Sequence, residues 1–203
     1  PLLAIQKLGA WINDDLADQK TDEAKEKLSY LNRNISRMTQ LASAILQYSR
    51  ATRTAVQSDE FYLKALLKEV IETIQVNNDS RIILPKQDFL IKSSKIKLNQ
   101  IFSNLIGNAL KYIPQNNGKI DIDASEKMHQ YEVTIKDNGP GIPEKYQSEI
   151  FNLFNTGTNK NERNSTGVGL AIVKKNIQDL GGEINLIKDS NPGAKFCVII
   201  PKT

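Results

Sequence analysis

The 203-residue chain has a single cysteine, Cys197, and a single histidine, His129. One cysteine excludes a disulfide framework and any cysteine-based zinc cluster. One histidine excludes a multi-histidine metal site and a relay of histidines. No run of about eighteen apolar residues is present, so no membrane span is expected. The start of the chain does not read as a signal peptide. Nor is charge of one sign concentrated anywhere. Basic residues number 27 and acidic residues 23, and residues 1–55 hold 8 and 6 of them, so each part carries +2. Without a basic stripe or tail, nucleic-acid binding has little support. Any chemistry must come from carboxylates, amides, lysines, backbone groups or a bound cofactor.

Glycine is nearly missing from half the chain. Gly9 stands alone in the first 106 residues, and the other ten lie between Gly107 and Gly193. Glycine marks turns and close backbone approaches, so the two parts should differ in architecture. Residues 1–17 and about 22–52 read as two helices joined by a polar link. In the second, Leu28, Leu31, Ile35, Met38, Ala42, Ile45 and Ser49 alternate spacings of three and four, the seam of a coiled coil or antiparallel bundle. Two helices alone cannot cover such seams, whereas a dimeric four-helix bundle can. Trp11 is expected to pack in that bundle. The polar stretch Arg50–Ser58 reads as a linker. Beyond it, short strands near 60–63, 81–84, 89–91, 119–124, 131–136, 183–188 and 194–200 alternate with helices over about 63–74, 95–113 and 167–180. A short helical stretch is expected near 144–151. Runs of strands with helices on one side predict an α+β sandwich. Cys197 is expected to be a buried strand residue, and His129 an exposed hairpin residue.

Three motifs carry candidate chemistry. On the helix near 95–113, Asn104, Asn108, Lys111 and Tyr112 share one face, opposite Leu98, Ile101, Phe102, Leu105 and Ala109. An amide oxygen can ligate magnesium beside phosphate oxygens, and an ammonium can neutralise those phosphates. Next, Asp137-Asn138-Gly139-Pro140-Gly141-Ile142-Pro143 follows a predicted strand and forms a rigid turn with close backbone access. A carboxylate at a strand end could accept a hydrogen bond from the amino group of a flat base. Third, Thr166-Gly167-Val168-Gly169-Leu170 opens a helix whose backbone N–H groups can approach an anion. It is neither a P-loop nor a dinucleotide fingerprint, lacking a following Gly-Lys-Ser/Thr and a preceding strand. The polar segment 155–165 before it resembles a mobile lid.

In this order the motifs resemble the ATP-binding domain shared by sensor histidine kinases, type II topoisomerases, a heat-shock chaperone family and mismatch-repair ATPases. Asn104-Leu-Ile-Gly-Asn108-Ala-Leu-Lys111-Tyr112 resembles the kinase N box. Asp137–Gly141 resembles the first glycine box, Phe151–Phe154 the F box, and Thr166–Leu170 the second glycine box. Residues 1–53 resemble the dimerisation and phosphotransfer hairpin of histidine kinases, with Arg37–Leu41 and Leu46–Arg50 similar to the end of its second helix. Pro1-Leu2 resembles the tail of the H box, whose phosphorylated histidine lies five positions before the proline. The resemblance therefore divides the chain into a hairpin, 1–55, and an ATP-binding domain, 56–203. It implies a fragment that lacks its phosphoacceptor.

The resemblance also implies roles. Asp137 should accept the adenine amino group, with Gly141 allowing the base to approach. Asn108 should hold magnesium, with Asn104 helping to position metal or phosphates. Lys111 should contact phosphate, and Tyr112 should pack near the nucleotide. Gly167, Val168, Gly169 and Leu170 should cradle phosphates, while Gly139, Ile142, Phe154 and Thr166 complete the nucleotide contacts. The implied cofactors are ATP and Mg2+. The implied partners are a second copy through the hairpin, a response-regulator receiver domain and an upstream sensor domain, in a cytoplasmic fragment. Hydrolysing relatives place a glutamate base four residues before the magnesium asparagine. Here that position is Asn104, which favours transfer to a protein side chain. Asn164-Ser165 depart from the glycines that kinases often carry before the second glycine box. The alternatives are a non-catalytic nucleotide-binding dimerisation adaptor, and a serine kinase or ATPase of the same superfamily.

Overall fold

A computed structural model describes Lys7, Leu8, Trp11, Ile12, Asp15 and residues 20–53, 58–74, 81–155, 166–188 and 192–202. The first described stretch is a long helix, α1 (Thr21–Arg53), with Asp22 and Glu23 in its first turn, where the helix dipole favours negative charge. It runs four residues, Arg50 to Arg53, into the stretch assigned to a linker. Arginine and alanine are good helix formers and need no apolar face for one more turn. The expected domain boundary near residue 55 lies outside the described residues. Most of the expected first helix does too, though its five described residues are helical. Among the described residues, no helix is long and apolar enough to cross a membrane.

The glycine-rich part begins with β1 (Asp59–Tyr62), α2 (Leu63–Thr73), β2 (Arg81–Ile83), β3 (Leu90–Ser93) and α3 (Lys95–Tyr112). It continues through β4 (Lys119–Glu126), β5 (Gln130–Asp137), α4 (Glu144–Gln147), α5 (Gly169–Asp179), β6 (Glu183–Leu186) and β7 (Lys195–Pro201). β1 and β3 pair as a small antiparallel sheet, and the main sheet has the order β2-β4-β5-β7-β6. Only β2 and β4 run parallel in it. Tyr131 ties the two sheets together, donating its hydroxyl to the Leu90 carbonyl at 2.9 Å.

Period-two alternation aims one face of the main sheet inward. Ile120 and Ile122 of β4, Val133 and Ile135 of β5, and Phe196, Val198 and Ile200 of β7 are buried. Leu63, Leu66, Leu67 and Val70 of α2 and Leu98, Ile101, Phe102, Leu105 and Ile106 of α3 cover that face, with Val173 and Ile177 of α5. Burial of side chains of this size stabilises by about 1.5–3 kcal/mol each. The expected α+β layering, a mixed sheet with helices on one face, is therefore present. Cys197 corrects the expectation that it is buried. It is half-exposed, because β7 turns Phe196, Val198 and Ile200 inward and leaves position 197 on the polar face.

Helix ends follow local chemistry. Pro114 cannot continue α3, and Ile113 N–H closes onto the Ala109 carbonyl at 3.1 Å. α5 ends in a left-handed Gly181 at φ 71°, with Gly182 N–H returning to the Ile177 carbonyl at 2.9 Å, as glycine favours at such ends.

Where α5 meets α3 the interface turns polar. Lys97 is 2% exposed and donates to Asp179 Oδ2 at 2.7 Å. Lys175 donates to Asp179 Oδ1 at 2.6 Å. Desolvation pushes the Asp179 carboxyl up, but the hydrogen bonds from Lys175 and Lys97 outweigh it and hold it below the usual carboxylate value. A carboxylate lowered in the fold contributes stability above its unfolded pKa, about 3.9, and loses it as pH falls through the folded value. We therefore expect Asp179→Asn to be less stable than wild type at neutral pH. That gap should narrow as pH falls from about 5 to about 3, read by urea denaturation across pH. A gap that widens on acidification would contradict the assignment.

Candidate functional site

The polar row predicted on α3 is real. Its apolar face is buried while Asn104, Asn108 and Tyr112 are half-buried and Lys111 is exposed. Asn104 donates its Nδ2 to the Gln100 carbonyl at 2.8 Å, one turn back. Lys111 lies with Nζ 5.3 Å from the centre of the Tyr112 ring.

The other two motifs close on this helix at its middle and at its last turn. Gly169 begins α5 directly against the two amides. A Cβ there would stand 2.9 Å from Asn104 Oδ1 and 3.9 Å from Asn108 Nδ2. Glycine at 169 is thus a requirement of approach, leaving the start of α5 and its unpaired N–H groups beside two amide side chains. The expected helix start at Gly167 shifts to Gly169, because Gly167 takes φ 66°, a left-handed conformation that a helix cannot continue. Val168 is buried at 1% exposure, Thr166 is half-buried, and Leu170 packs on the core.

At the far end, Gly139 meets the last turn of α3. A Cβ on it would stand 2.9 Å from both the Tyr112 carbonyl oxygen and Asp137 Oδ1. Asp137 is 8% exposed. Its Oδ1 accepts from Gly139 N–H at 2.8 Å and Ala194 N–H at 3.1 Å. Two backbone donors on one oxygen fix the orientation of the carboxylate. Oδ2 accepts no hydrogen bond among the described residues. Asn138 locks the same turn, accepting from Lys119 N–H and donating to the Asn117 carbonyl, both at 2.8 Å. Gly141 takes φ 74°, and Ile142 packs against the core.

Phe154 is half exposed and is the only described non-glycine residue at positive φ, 65°. Its N–H donates to the Gly167 carbonyl at 2.9 Å. A Cβ on Gly167 would stand 2.6 Å from the Phe154 carbonyl carbon. The two ends of the expected lid are therefore pinched together. The lid itself, after Asn155, lies outside the described residues. A conformation of this kind costs about 1–3 kcal/mol and concentrates at functional segments.

Among the described residues, no group of three or more His, Cys, Asp or Glu could hold a metal ion. The hard donors beside Gly169 are instead the amides of Asn104 and Asn108, suited to a magnesium ion that takes most of its ligands from phosphate and water. His129 is exposed in the β4–β5 hairpin, remote in sequence and in element from this cluster. Burial, with Glu132 second, pushes the Cys197 thiol above its usual value, which disfavours a nucleophilic role.

Sequence reasoning missed three contributors. Gly193 was not singled out. It takes φ 114°, and a Cβ there would stand 1.9 Å from the Asp137 carbonyl oxygen, so its backbone lies directly against that of Asp137. Gln100 and Asn176 were not singled out. Asn176, on α5, is fully buried and donates Nδ2 to Gln100 Oε1 at 2.9 Å, while its Oδ1 has no partner. Such an orphan costs about 1–3 kcal/mol. An amide has no periodic signature that separates it from a solvated helix face.

Comparison with known proteins identifies the family. Residues 93–203 match the model of the "Histidine kinase-, DNA gyrase B-, and HSP90-like ATPase" family. The signal transduction histidine-protein kinase BarA of Escherichia coli K12 is 30% identical over 196 residues, covering 89% of this chain and 21% of BarA. Sporulation kinase A of Bacillus subtilis is 33% identical over 174 residues, covering 83% of this chain and 28% of that protein. The histidine kinase ThkA, solved in complex with the response regulator protein TrrA, superposes with a TM-score of 0.67 at 26% identity, over 98% of this chain and 59% of ThkA. The chain thus spans about a fifth of the length of BarA.

Gly193→Ala should destabilise the protein by about 1–3 kcal/mol, from strain at positive φ and collision with Asp137. The measurement is the urea midpoint. A midpoint equal to wild type would show that β7 does not need this approach to Asp137.

Proposed function

The chain belongs to the histidine kinase-, DNA gyrase B- and HSP90-like ATPase family, with the ATP-binding catalytic domain of a sensor histidine kinase, and from that premise we propose that it is the core of an ATP-dependent protein-histidine kinase in a two-component signalling system. The observation that carries this reading is the convergence of three motifs on α3. Asn104 and Asn108 face the start of α5 across Gly169, and Asp137 stands fixed where the Gly139 turn meets the end of the helix.

On this reading residues 1–55 are the dimerisation and phosphotransfer hairpin, and residues 56–203 bind nucleotide. Asp137 accepts the adenine amino group through its remaining oxygen. Gly139 and Gly141 let the base approach, and Ile142 and Tyr112 flank it. Asn108, assisted by Asn104, holds Mg2+, which when bound neutralises and orients the phosphate oxygens. Lys111 adds a second positive charge. Backbone N–H groups from Gly167 to Leu170 receive the phosphates, and Thr166 and Phe154 border the lid. Such a site works by positioning and charge neutralisation, which is what phosphoryl transfer chiefly requires. An amide at 104 cannot take a proton from water, so the γ-phosphoryl goes to a side chain brought to the site.

The acceptor is assigned to a histidine upstream of Pro1, given the H-box resemblance of Pro1-Leu2, and the phosphoryl then passes to a response-regulator aspartate. The solved ThkA–TrrA complex supports a receiver-domain partner. Dimerisation is supported by the seam of α1, where Leu28, Ile35 and Ile45 are 47%, 42% and 53% exposed in the single chain. Trp11, also exposed here at 52%, would be covered with them. A sensor domain upstream and a cytoplasmic location for this core complete the proposal.

Magnesium-ATP should raise the melting temperature of the 203-residue chain, and Asn108→Ala should abolish the rise without lowering the nucleotide-free value by a similar amount. No shift in the wild-type protein would count against nucleotide binding. With labelled ATP the chain itself should remain unlabelled, whereas a form extended upstream through the histidine should acquire acid-labile phosphate. Acid-stable labelling would indicate a serine kinase, and labelling of the unextended chain would redirect attention to His129.

A further inference from the structure

The buried polar contacts between α3 and α5 form an antiparallel ladder. Lys97 meets Asp179 at 2.7 Å, Gln100 meets Asn176 at 2.9 Å, and Asn104 stands against Gly169. The positions step along α3 toward the site while descending α5 toward its first residue. Lys97 is 2% exposed and Asn176 fully buried, with one amide oxygen unpartnered. Apolar residues of similar volume at such places are often as stable or more so. Stability therefore does not explain them. A hydrogen bond is directional, however, and an apolar contact is not. Two directional ties one turn apart fix both the sliding and the rotation of α5 against α3. One residue of slip moves a helix about 1.5 Å along its axis, enough to break both ties while leaving Leu, Ile and Val contacts in place.

We propose that Gln100 and Asn176, together with Lys97 and Asp179, are positioning residues that set the register of α5 on α3 and so place the first N–H groups of α5 against Asn104 and Asn108. The proposal rests on the nucleotide-binding reading above. Gln100 has a second part in it, since its backbone carbonyl accepts the Asn104 Nδ2. The ladder thus runs without a gap from the Asp179 ion pair to the amide beside Gly169.

The test is the double variant Gln100→Met/Asn176→Leu in the 203-residue chain. It removes the cross-helix hydrogen bond and the orphaned oxygen together, and keeps the backbone carbonyl at position 100. The nucleotide-free melting temperature should be equal to wild type or higher. The backbone amide resonance of Gly169 and the side-chain resonance of Asn104 should move. Affinity for Mg-ADP, measured by calorimetry, should fall by about tenfold or more, as when a supporting partner of a metal ligand is removed. Wild-type affinity in the variant overturns the proposal whatever the melting temperature does. So does lost affinity with both resonances unmoved. If wild type itself does not bind Mg-ADP, the nucleotide reading fails. The register claim is then decided by the two resonances alone. Should the double variant not fold, Asn176→Ala, which leaves Gln100 intact, is judged by the same resonances and affinity.

Discussion

Helix α3 has to satisfy two environments at once, and the rest of the domain is arranged around that demand. Leu98, Ile101, Phe102, Leu105 and Ile106 must be buried, which fixes the helix on the inner face of the main sheet. With that face pinned, Asn104, Asn108, Lys111 and Tyr112 have no choice of direction. The first two stand against the start of α5, and the backbone at Tyr112 meets the Gly139 turn. Everything placed later in the chain then comes to α3. Gly139 reaches its last turn, and Gly169 reaches its middle. Neither approach is possible with a Cβ in the way, so glycine appears at those positions because of α3. Other glycines late in the chain answer other demands, Gly181 closing α5 and Gly193 lying against Asp137.

Much of this was legible in advance because it rests on periodicity. Alternating residues in β4 and β5 announced half-buried strands, and the row at 104, 108, 111 and 112 announced the polar face. Turn chemistry announced the stop at Pro114 and the close of α5 at Gly181. What could not be read were contacts between elements distant in sequence. Nothing local shows that Gly193 backs Asp137 from 56 positions away, since Asn-Pro-Gly serves any turn. Cys197 was misplaced because a β-strand's phase is set by its partners, and one residue of phase moves a side chain to the other face. The extension of α1 to Arg53 shows the same limit in another form. Apolar spacing detects where a helix is packed, while the helix itself can run on for a turn without packing.

Buried polar residues are the harder case. Lys97, Gln100 and Asn176 lie on helix faces that sequence alone would assign to solvent. Only the packing of α5 on α3 converts them into an interior ladder. Their sequence positions look unremarkable, yet they occupy the interface through which the two halves of the site are held together. α1 also lies against α5, so the element that supplies Gly169 is the one touched by the long helix.

The chemistry available at this site follows from what the side chains cannot do. Asn104 and Asn108 neither accept nor release a proton at neutral pH, and Asp137 is committed through Oδ1 to two backbone N–H groups. Among the described residues, the side chains beside Gly169 are the amides of Asn104 and Asn108, and neither can serve as a general base toward water. A site without a base can still lower the barrier to phosphoryl transfer, because that reaction is limited by charge and alignment more than by proton removal. The remaining requirement is a nucleophile held in line. A freely diffusing water would need activation that these amides cannot give, whereas a histidine side chain carries its own lone pair. Two amides are therefore better suited to a nucleophile that needs no deprotonation than to the activation of water. Inert side chains also make geometry decisive, since positioning is the main contribution that Asn104 and Asn108 have to offer.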